Sequence, residues 1–351
     1  MNGNKHYKLF ADCIPVKGYT RSIIYDLSRG KYIFIPNELF YFFSDNKSSF
    51  RLNDIYKYLD VDKKNMNKYV DFLIHNELIF ECQKRYSRMF PDIKLTYETP
   101  FLINNIVMEF DIDSNYYDKR YFFEQFDKLG CVDLQLKFFE PIPLIKIDTL
   151  LSTTLNRRIN SIELVIPYNN NIVREIAPII EKNNRLIRIL VHSTPYEIID
   201  ELNISKNKLI PIYFVSDNIT NSNYCGFVSP IFFTINLPFF TESKQFNNCL
   251  NKKLAIDTRG IVKNCTAIKE SYGHINEINI EEIVKSKEFQ KYWRITKDDI
   301  ESCKDCEFRY MCSDCRAFTI NNDILSKPLY CEYNPKTTKW DRKSRKKLYL
   351  G

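Results

Sequence analysis

The hydrophobic residues of this chain fall into three rhythms, each pointing to a different kind of unit. Over residues 1–100 the pattern is mixed. Arg21–Ser28 (RSIIYDLS) and Lys31–Pro36 (KYIFIP) flank Arg29-Gly30 and read as a β-hairpin. Pro36-Asn37-Glu38 opens a helix through Phe43. Two more helices are expected over Asn53–Leu59 and Asp62–His75, the second capped by Asp62. Within it Met66, Tyr69, Val70 and Leu73 recur at helical spacing. A hairpin with three helices makes a small winged-helix-like unit.

Between 101 and 240 short apolar runs take over, at Ile106–Phe110, Val132–Phe138, Ser161–Ile166, Leu186–Val191, Leu209–Val215 and Ile231–Leu237. Helical patterns fill most of the gaps, at Tyr116–Leu129, Leu144–Arg157, Asn171–Asn183 and Tyr196–Leu202. This alternation predicts an α/β architecture of parallel βα units, arranged as a partial barrel or an open curved sheet. The runs are apolar enough to suggest strands buried on both faces. Over 241–351 the periodicity fades. Leu254–Asp257 and Ile261–Lys263, on either side of Arg259-Gly260, suggest a small hairpin, and Ile280–Lys291 one helix. A segment so poor in apolar rhythm needs another staple to fold, and bound metal can supply it.

Cysteine changes the picture most. Seven of the eleven cysteines lie in that last segment: Cys249, Cys265, Cys303, Cys306, Cys312, Cys315 and Cys331. A uniform spread would put about three there. Cys303-x2-Cys306 lets two thiolates grip one centre from a single turn. The five-residue gap before Cys312 is too short for two separate zinc knuckles and better suits neighbouring cysteines that serve different centres. Seven is also an odd count for zinc, since four cysteines saturate one tetrahedral site. Iron–sulfur is the favoured reading, with zinc as the alternative. The scattered Cys13, Cys82, Cys131 and Cys225 read as small buried hydrophobes.

Cys249-x10-Gly260-x4-Cys265, then Cys303-x2-Cys306-x5-Cys312-x2-Cys315, then Cys331, resembles the SPASM domain, the auxiliary-cluster module of many radical SAM peptide-modifying enzymes. The last close pair is x2 here where the family has x3. The resemblance implies two 4Fe–4S clusters, one on Cys303, Cys306, Cys312 and Cys331 and the other on Cys249, Cys265 and Cys315. Some relatives add an eighth cysteine several residues before the first. Thr241-Glu242-Ser243-Lys244 stand there instead, which leaves the second of these clusters with an open iron or a non-cysteine ligand.

The middle region is similar to the partial (βα)6 barrel of radical SAM enzymes, in degenerate form. Such enzymes carry C-x3-C-x2-C after the first strand. Here Phe110 is followed by DIDSNYYDKRYFF, with no cysteine before Cys131, which argues against SAM as a cofactor. The N-terminal unit resembles a leader-peptide recognition element, in which a peptide adds as an edge strand. That resemblance points to Ile33, Ile35, Tyr69, Phe72 and Leu73 as peptide-binding positions, each of which reads equally as core. The whole arrangement resembles SPASM peptide maturases of grasp-with-SPASM systems, with residues 1–100 as leader recognition unit, 101–240 as barrel and 241–351 as SPASM domain with a basic tail. Implied partners are a precursor peptide and an ATP-grasp ligase. A non-enzymatic adaptor presenting the precursor, or a zinc-stapled binding protein, are the alternatives, and no catalytic residue is assigned.

The remaining features narrow the field. Hydrophobic residues make up 44% of the 351, enough for a sizeable core. The formal charge of +7 is concentrated partly in Lys336–Lys347 (KTTKWDRKSRKK), read as a solvated end and not a nucleic-acid arm. With 8 glycines and no Gly-rich phosphate loop, a kinase or ATPase role has no support in the sequence. No apolar run reaches the ~18 residues of a membrane span and no signal peptide is seen, so a cytoplasmic protein without membrane contacts is expected. His6, His75, His192 and His274 show no metal-ligand spacing. His192 at a strand end, and Glu109 and Asp111 on the first barrel strand, are candidate rim groups, with structural roles the plainer reading.

Overall fold

A computed structural model describes residues 5–46, 48–55, 58, 63–114, 121–205 and 208–341. Asp62, the Tyr116–Arg120 start of the expected helix and the basic tail beyond Asp341 lie outside the described residues, as do Lys57 and Leu59.

The N-terminal elements run β1 (His6–Leu9), β2 (Cys13–Val16), β3 (Ser22–Asp26), β4 (Lys31–Ile35), α1 (Asn37–Asp45), β5 (Phe50–Arg51), α2 (Leu52–Ile55), α3 (Lys63–His75) and β6 (Ile79–Glu81). The hairpin forms in register, with Ile23 opposite Phe34 and Tyr25 opposite Tyr32. Two features escape sequence reading because the strands are so short. Strand β2 extends the hairpin to a β2-β3-β4 sheet, and β1 joins β5 and β6 in a second one. Ile24 and Ile35 pack on Leu39, Phe42 and Phe43 of α1 and on Val70 and Leu73 of α3. Strand β4 is an edge of its sheet.

The middle region continues with β7 (Asn105–Phe110), α4 (Tyr121–Leu129), β8 (Asp133–Phe138), α5 (Leu144–Thr153), β9 (Ser161–Pro167), α6 (Ile172–Lys182), β10 (Leu186–His192), β11 (Ile198–Ser205) and β12 (Lys208–Phe214). The C-terminal region adds α7 (Leu237–Gln245), β13 (Lys253–Ile256), β14 (Val262–Lys263), α8 (Ile280–Lys285), α9 (Lys287–Gln290), β15 (Tyr333–Asn334) and β16 (Lys339–Trp340). One eight-stranded sheet results, in the order β11-β12-β10-β9-β8-β7-β13-β14. Its six inner strands are parallel, and β11 and β14 run antiparallel at the ends. The two ends do not pair with each other, so the sheet is open. Among the described residues no helix is long and apolar enough to cross a membrane.

Several expectations are corrected. Tyr196–Leu202 is not a helix. Ile198, Leu202 and Ile204 alternate with Glu201 and Asn203, and the segment pairs with β12 as a strand, Ile198 against Phe214. Ile231–Leu237 is not a strand. Pro230 opens a 3-10 turn through Phe232, Asn236 accepts the Phe239 N–H as an N-cap, and α7 begins with Pro238 in its first turn. The helix expected over Ile280–Lys291 breaks at Ser286, whose side chain caps α9.

The strands are not apolar on both faces either. Ile106, Met108 and Phe110, Leu134, Leu136 and Phe138, and Ile162, Leu164 and Ile166 pack against Phe122, Phe126, Leu150, Ile176 and Ile180 of the helices. The alternate positions (Asn105, Asp133, Gln135, Lys137, Ser161 and Glu163) form a polar face.

A third core joins the two ends of the chain. Ile23, Tyr25 and Val16 of the N-terminal sheet pack with Phe240, Phe308, Tyr310, Met311 and Tyr333. The Tyr25 hydroxyl donates to the Glu307 carbonyl at 3.0 Å and accepts from the Tyr310 N–H at 3.2 Å.

Candidate metal centre

The C-terminal cysteines are carried on turns, and each turn has its own local lock. The β13–β14 hairpin closes at Gly260, whose φ of 78° is the left-handed conformation glycine adopts without penalty. Its N–H donates to the Asp257 carbonyl at 2.9 Å, and this hairpin delivers Cys265. Cys249 sits in a turn organised by two neighbouring amides. The Asn247 side-chain oxygen accepts the N–H of Cys249 and Leu250, and its nitrogen donates to Asp314 at 2.9 Å. Asn248 donates to the Cys312 carbonyl at 2.9 Å and accepts the Asp314 N–H at 2.8 Å. The Cys249 turn is thereby fixed to the Cys312–Cys315 turn. Cys303 and Cys306 lie one turn apart, joined by a 2.9 Å backbone bond.

The cysteines assemble in two sets around two cavities. Cys303, Cys306, Cys312 and Cys331 ring a small cavity walled by Val228, Phe233, Phe308, Pro328, Tyr333 and Trp340. Cys249 and Cys315 line a polar cavity of about 500 Å³, floored by Gln135, Lys137, Glu163 and Arg188 of the sheet's polar face. Cys265 lies within the electrostatic reach of both. One further cysteine lies beside the second set.

Cys225, read from sequence as a buried hydrophobe, is only half-buried and lines the polar cavity beside Cys249 and Cys315. Nothing in its local sequence marks it, because its neighbours are brought to it by the tertiary fold. By contrast Cys13, Cys82 and Cys131 are buried apart from both sets. All eleven cysteines are free thiols.

Each set has a lysine. Lys297 is buried, with its ammonium 3.4 Å from the Cys312 sulfur and 3.0 Å from the Ser313 carbonyl that accepts from it. Lys253 lines the polar cavity in the field of Cys249, Cys265, Cys225 and Cys315. Burial opposes the charge on both lysines, and the field of the surrounding sulfurs raises their pKa values only once those sulfurs are ionised. Burial pushes the Cys303 thiol up to about 12 and Cys249 up to about 11, with the lysines pulling the other way. Without a cation of higher charge these sulfurs keep their protons, and metal binding would release them.

The donor chemistry, soft sulfur throughout, fits iron–sulfur or zinc. Among the described residues no three His, Cys, Asp or Glu side chains are drawn together as ligands of a single ion would be. A zinc site needs sulfurs about 3.8 Å apart, from its ~2.3 Å bonds.

The other expected site residues divide. Glu109 is buried on the polar face, bridging Ser222 at 2.7 Å and Thr266 at 2.8 Å, with Lys137 at 3.8 Å. It ties together the loops that carry Cys225 and Cys265. Asp111 closes a local turn with Ser114. His192 is buried against the Phe138 carbonyl at 3.0 Å and serves the strand end; burial lowers its pKa.

In the N-terminal unit Ile35, Tyr69 and Phe72 line a groove of about 770 Å³ between β4 and α3, together with Arg21, Phe34, Leu39 and Lys68. Ile33 is not on its lining, and Leu73 is fully buried in the core. Sequence reading missed Phe34 and Arg21. The outward alternation of β4 was the available signal for Phe34, which is 41% exposed, and Arg21 stacks on its ring at 3.6 Å.

Residues 248–307 match the SPASM family, described as an iron–sulfur cluster-binding domain. The match takes in Cys249, Cys265, Cys303 and Cys306 and stops before Cys312, Cys315 and Cys331. No curated protein matches the chain. Among solved structures, the crystal structure of E. coli MccB with MccA-N7isoASN is similar at 10% identity, over 51% of this chain and 67% of that one, with a TM-score of 0.18. Likeness at that level carries no argument here.

Proposed function

We propose that this protein is an iron–sulfur component in the maturation of a ribosomally synthesised peptide. The observation that carries the reading is the gathering of cysteines into two sets within and beyond a SPASM-matching segment. Cys303, Cys306, Cys312 and Cys331 would hold one 4Fe–4S cluster, and Cys249, Cys265 and Cys315 would take part in holding the other. When bound, such clusters supply one-electron transfer or a structural staple. The protein's own residues do the rest. Lys297 and Lys253 offset cluster charge, and the apolar walls around the Cys303 set exclude water.

The groove beside β4 supports the peptide part of the reading. An open strand edge offers unpaired backbone groups, and the flanking Phe34, Tyr69 and Phe72 offer apolar contact to a leader segment. An ATP-grasp ligase acting on the same precursor would be the partner. A second reading, a non-enzymatic adaptor whose clusters only staple, is favoured by the third core, which welds the groove-bearing sheet to the walls of the Cys303 set.

Anaerobic purification tests the cofactor: a brown protein absorbing near ~400 nm with labile sulfide is expected, and a colourless protein with stoichiometric zinc rejects it. Mass spectrometry of a precursor incubated with the reduced protein, without ligase, separates the two readings. No mass change under any redox condition would leave the adaptor.

A further inference from the structure

Resting on the reading that 4Fe–4S clusters occupy these sites, we infer that Cys225 is the fourth ligand of the cluster held by Cys249, Cys265 and Cys315. All four irons of that cluster are then bound to protein sulfur.

Several independent contacts aim Cys225 at this set. Cys225, Gly226 and Phe227 line the polar cavity alongside Cys249 and Cys315. A Cβ on Gly226 would meet the Cys315 sulfur at 2.9 Å, so the backbone after Cys225 passes directly against a ligand of the set. The Gly226 φ of 87° makes the turn that permits this approach. On one side, Ser222 donates to Glu109 at 2.7 Å, and Glu109 also accepts from Thr266, the residue after Cys265. On the other side, Val228 bridges Cys331 and Phe227 stacks on Tyr330 at 4.7 Å. The segment is thus pinned at both ends, between the two cysteine sets.

The charge balance agrees. Four thiolates on a 2+ cluster core leave a dianion, and Lys253 stands in the field of all four sulfurs. With three sulfurs, one iron would face the 500 Å³ cavity and could take a ligand from it. With four, nothing in the cavity reaches iron without displacing a thiolate. The cluster is then restricted to passing electrons or holding loops, and the chain dispenses with the eighth cysteine that relatives place near residues 241–244.

Thiol protection in the full-length, anaerobically loaded protein tests this. Iodoacetamide labelling followed by peptide mass spectrometry should leave Cys225, Cys249, Cys265 and Cys315 unmodified, and iron chelation should expose all four. Labelling of Cys225 while Cys249, Cys265 and Cys315 stay protected overturns the inference and leaves the cluster reading standing. Labelling of those three as well overturns the cluster reading itself. The C225S variant gives an independent readout. Its Mössbauer spectrum should show one iron distinct from the others, and cyanide should change the electron paramagnetic resonance signal of its reduced cluster but not that of the parent. A parent signal that shifts with cyanide at the same cluster rejects full thiolate ligation.

Discussion

The ion pair between Arg21 and Glu307 joins the two ends of the chain, and its energetics can be measured. The Glu307 carboxylate is fully buried. One oxygen accepts from Arg21 Nε at 2.8 Å and from the Tyr333 hydroxyl at 2.6 Å, and the other has no hydrogen-bond partner among the described residues. Removing the guanidinium strands a charge that already lacks one bond. Breaking a buried pair costs about 3–5 kcal/mol. Arg21 keeps 32% of its side chain exposed, so water can partly replace it, and about 2–3 kcal/mol is expected for R21M. E307Q retains the shape and the bond from Tyr333 and should cost about 1–2 kcal/mol. In the double variant neither charge remains to be stranded, so the combined loss should fall short of the sum by about 1–2 kcal/mol. R21M also loses the stacking on Phe34, but that loss occurs in both backgrounds and cancels in the cycle. Urea unfolding, followed by fluorescence and circular dichroism to check for a single transition, gives all four free energies. Additivity within about 0.5 kcal/mol would refute the argument that this pair acts as a unit.

The half-buried Glu242 carboxyl is pushed up to about 7 by desolvation, against hydrogen bonds from Asn251 and Tyr97. An acid held above its unfolded value of 4.5 binds its proton more tightly in the folded state, so stability falls as pH rises from about 4.5 to about 7; E242Q should flatten that slope and gain about 2 kcal/mol at pH 8, and an unchanged pH profile in urea melts would count against it. Cys306→Ala should open the third core as well as its own site, because Phe308, Tyr310 and Met311 pack on Ile23 and Tyr25. Limited trypsin digestion should then cut at Arg21, Arg29 and Lys31 together with the C-terminal region, whereas a surviving N-terminal fragment of 100 residues would show that the first unit stands alone. If a peptide pairs with β4, F34A and F72A should each weaken its binding about tenfold by calorimetry, and affinities unchanged in both would move the binding site elsewhere.

What sequence reveals here is what local pattern encodes. The strands of the large sheet are legible as short apolar runs such as Val132–Phe138, and the segments between them carry helical spacing. Spacing alone does not give the two cysteine groupings, since Cys312 and Cys315 form a Cys-x2-Cys pair yet line different cavities; only the family resemblance implies them. What is missed depends on distant partners. Strand β13 pairs in parallel with β7 across more than a hundred residues, which no local pattern announces. Apolar content alone locates these strands but hides their polar face, which shows only in the alternation of Asp133, Gln135 and Lys137 with Leu134, Leu136 and Phe138. Ile198–Ser205 carries an apolar content that fits helix or strand, and only its pairing with β12 decides. Cys225 has no motif of its own; its placement comes from Glu109, Gly226 and Val228 acting together.

The third core also sets an order of events during synthesis. The Tyr25 hydroxyl finds hydrogen-bond partners at Glu307 and Tyr310, nearly three hundred residues later. At ribosomal rates of ~5–20 residues per second, that delay is roughly 15–60 s. Throughout it, Ile23 and Tyr25 of the first sheet leave the ribosome without the aromatic residues that will cover them. The nascent chain therefore shows the sheet carrying the β4 edge to the cell well before the cysteine turns exist. A partner that recognises this edge could engage the chain before its metal centres are assembled.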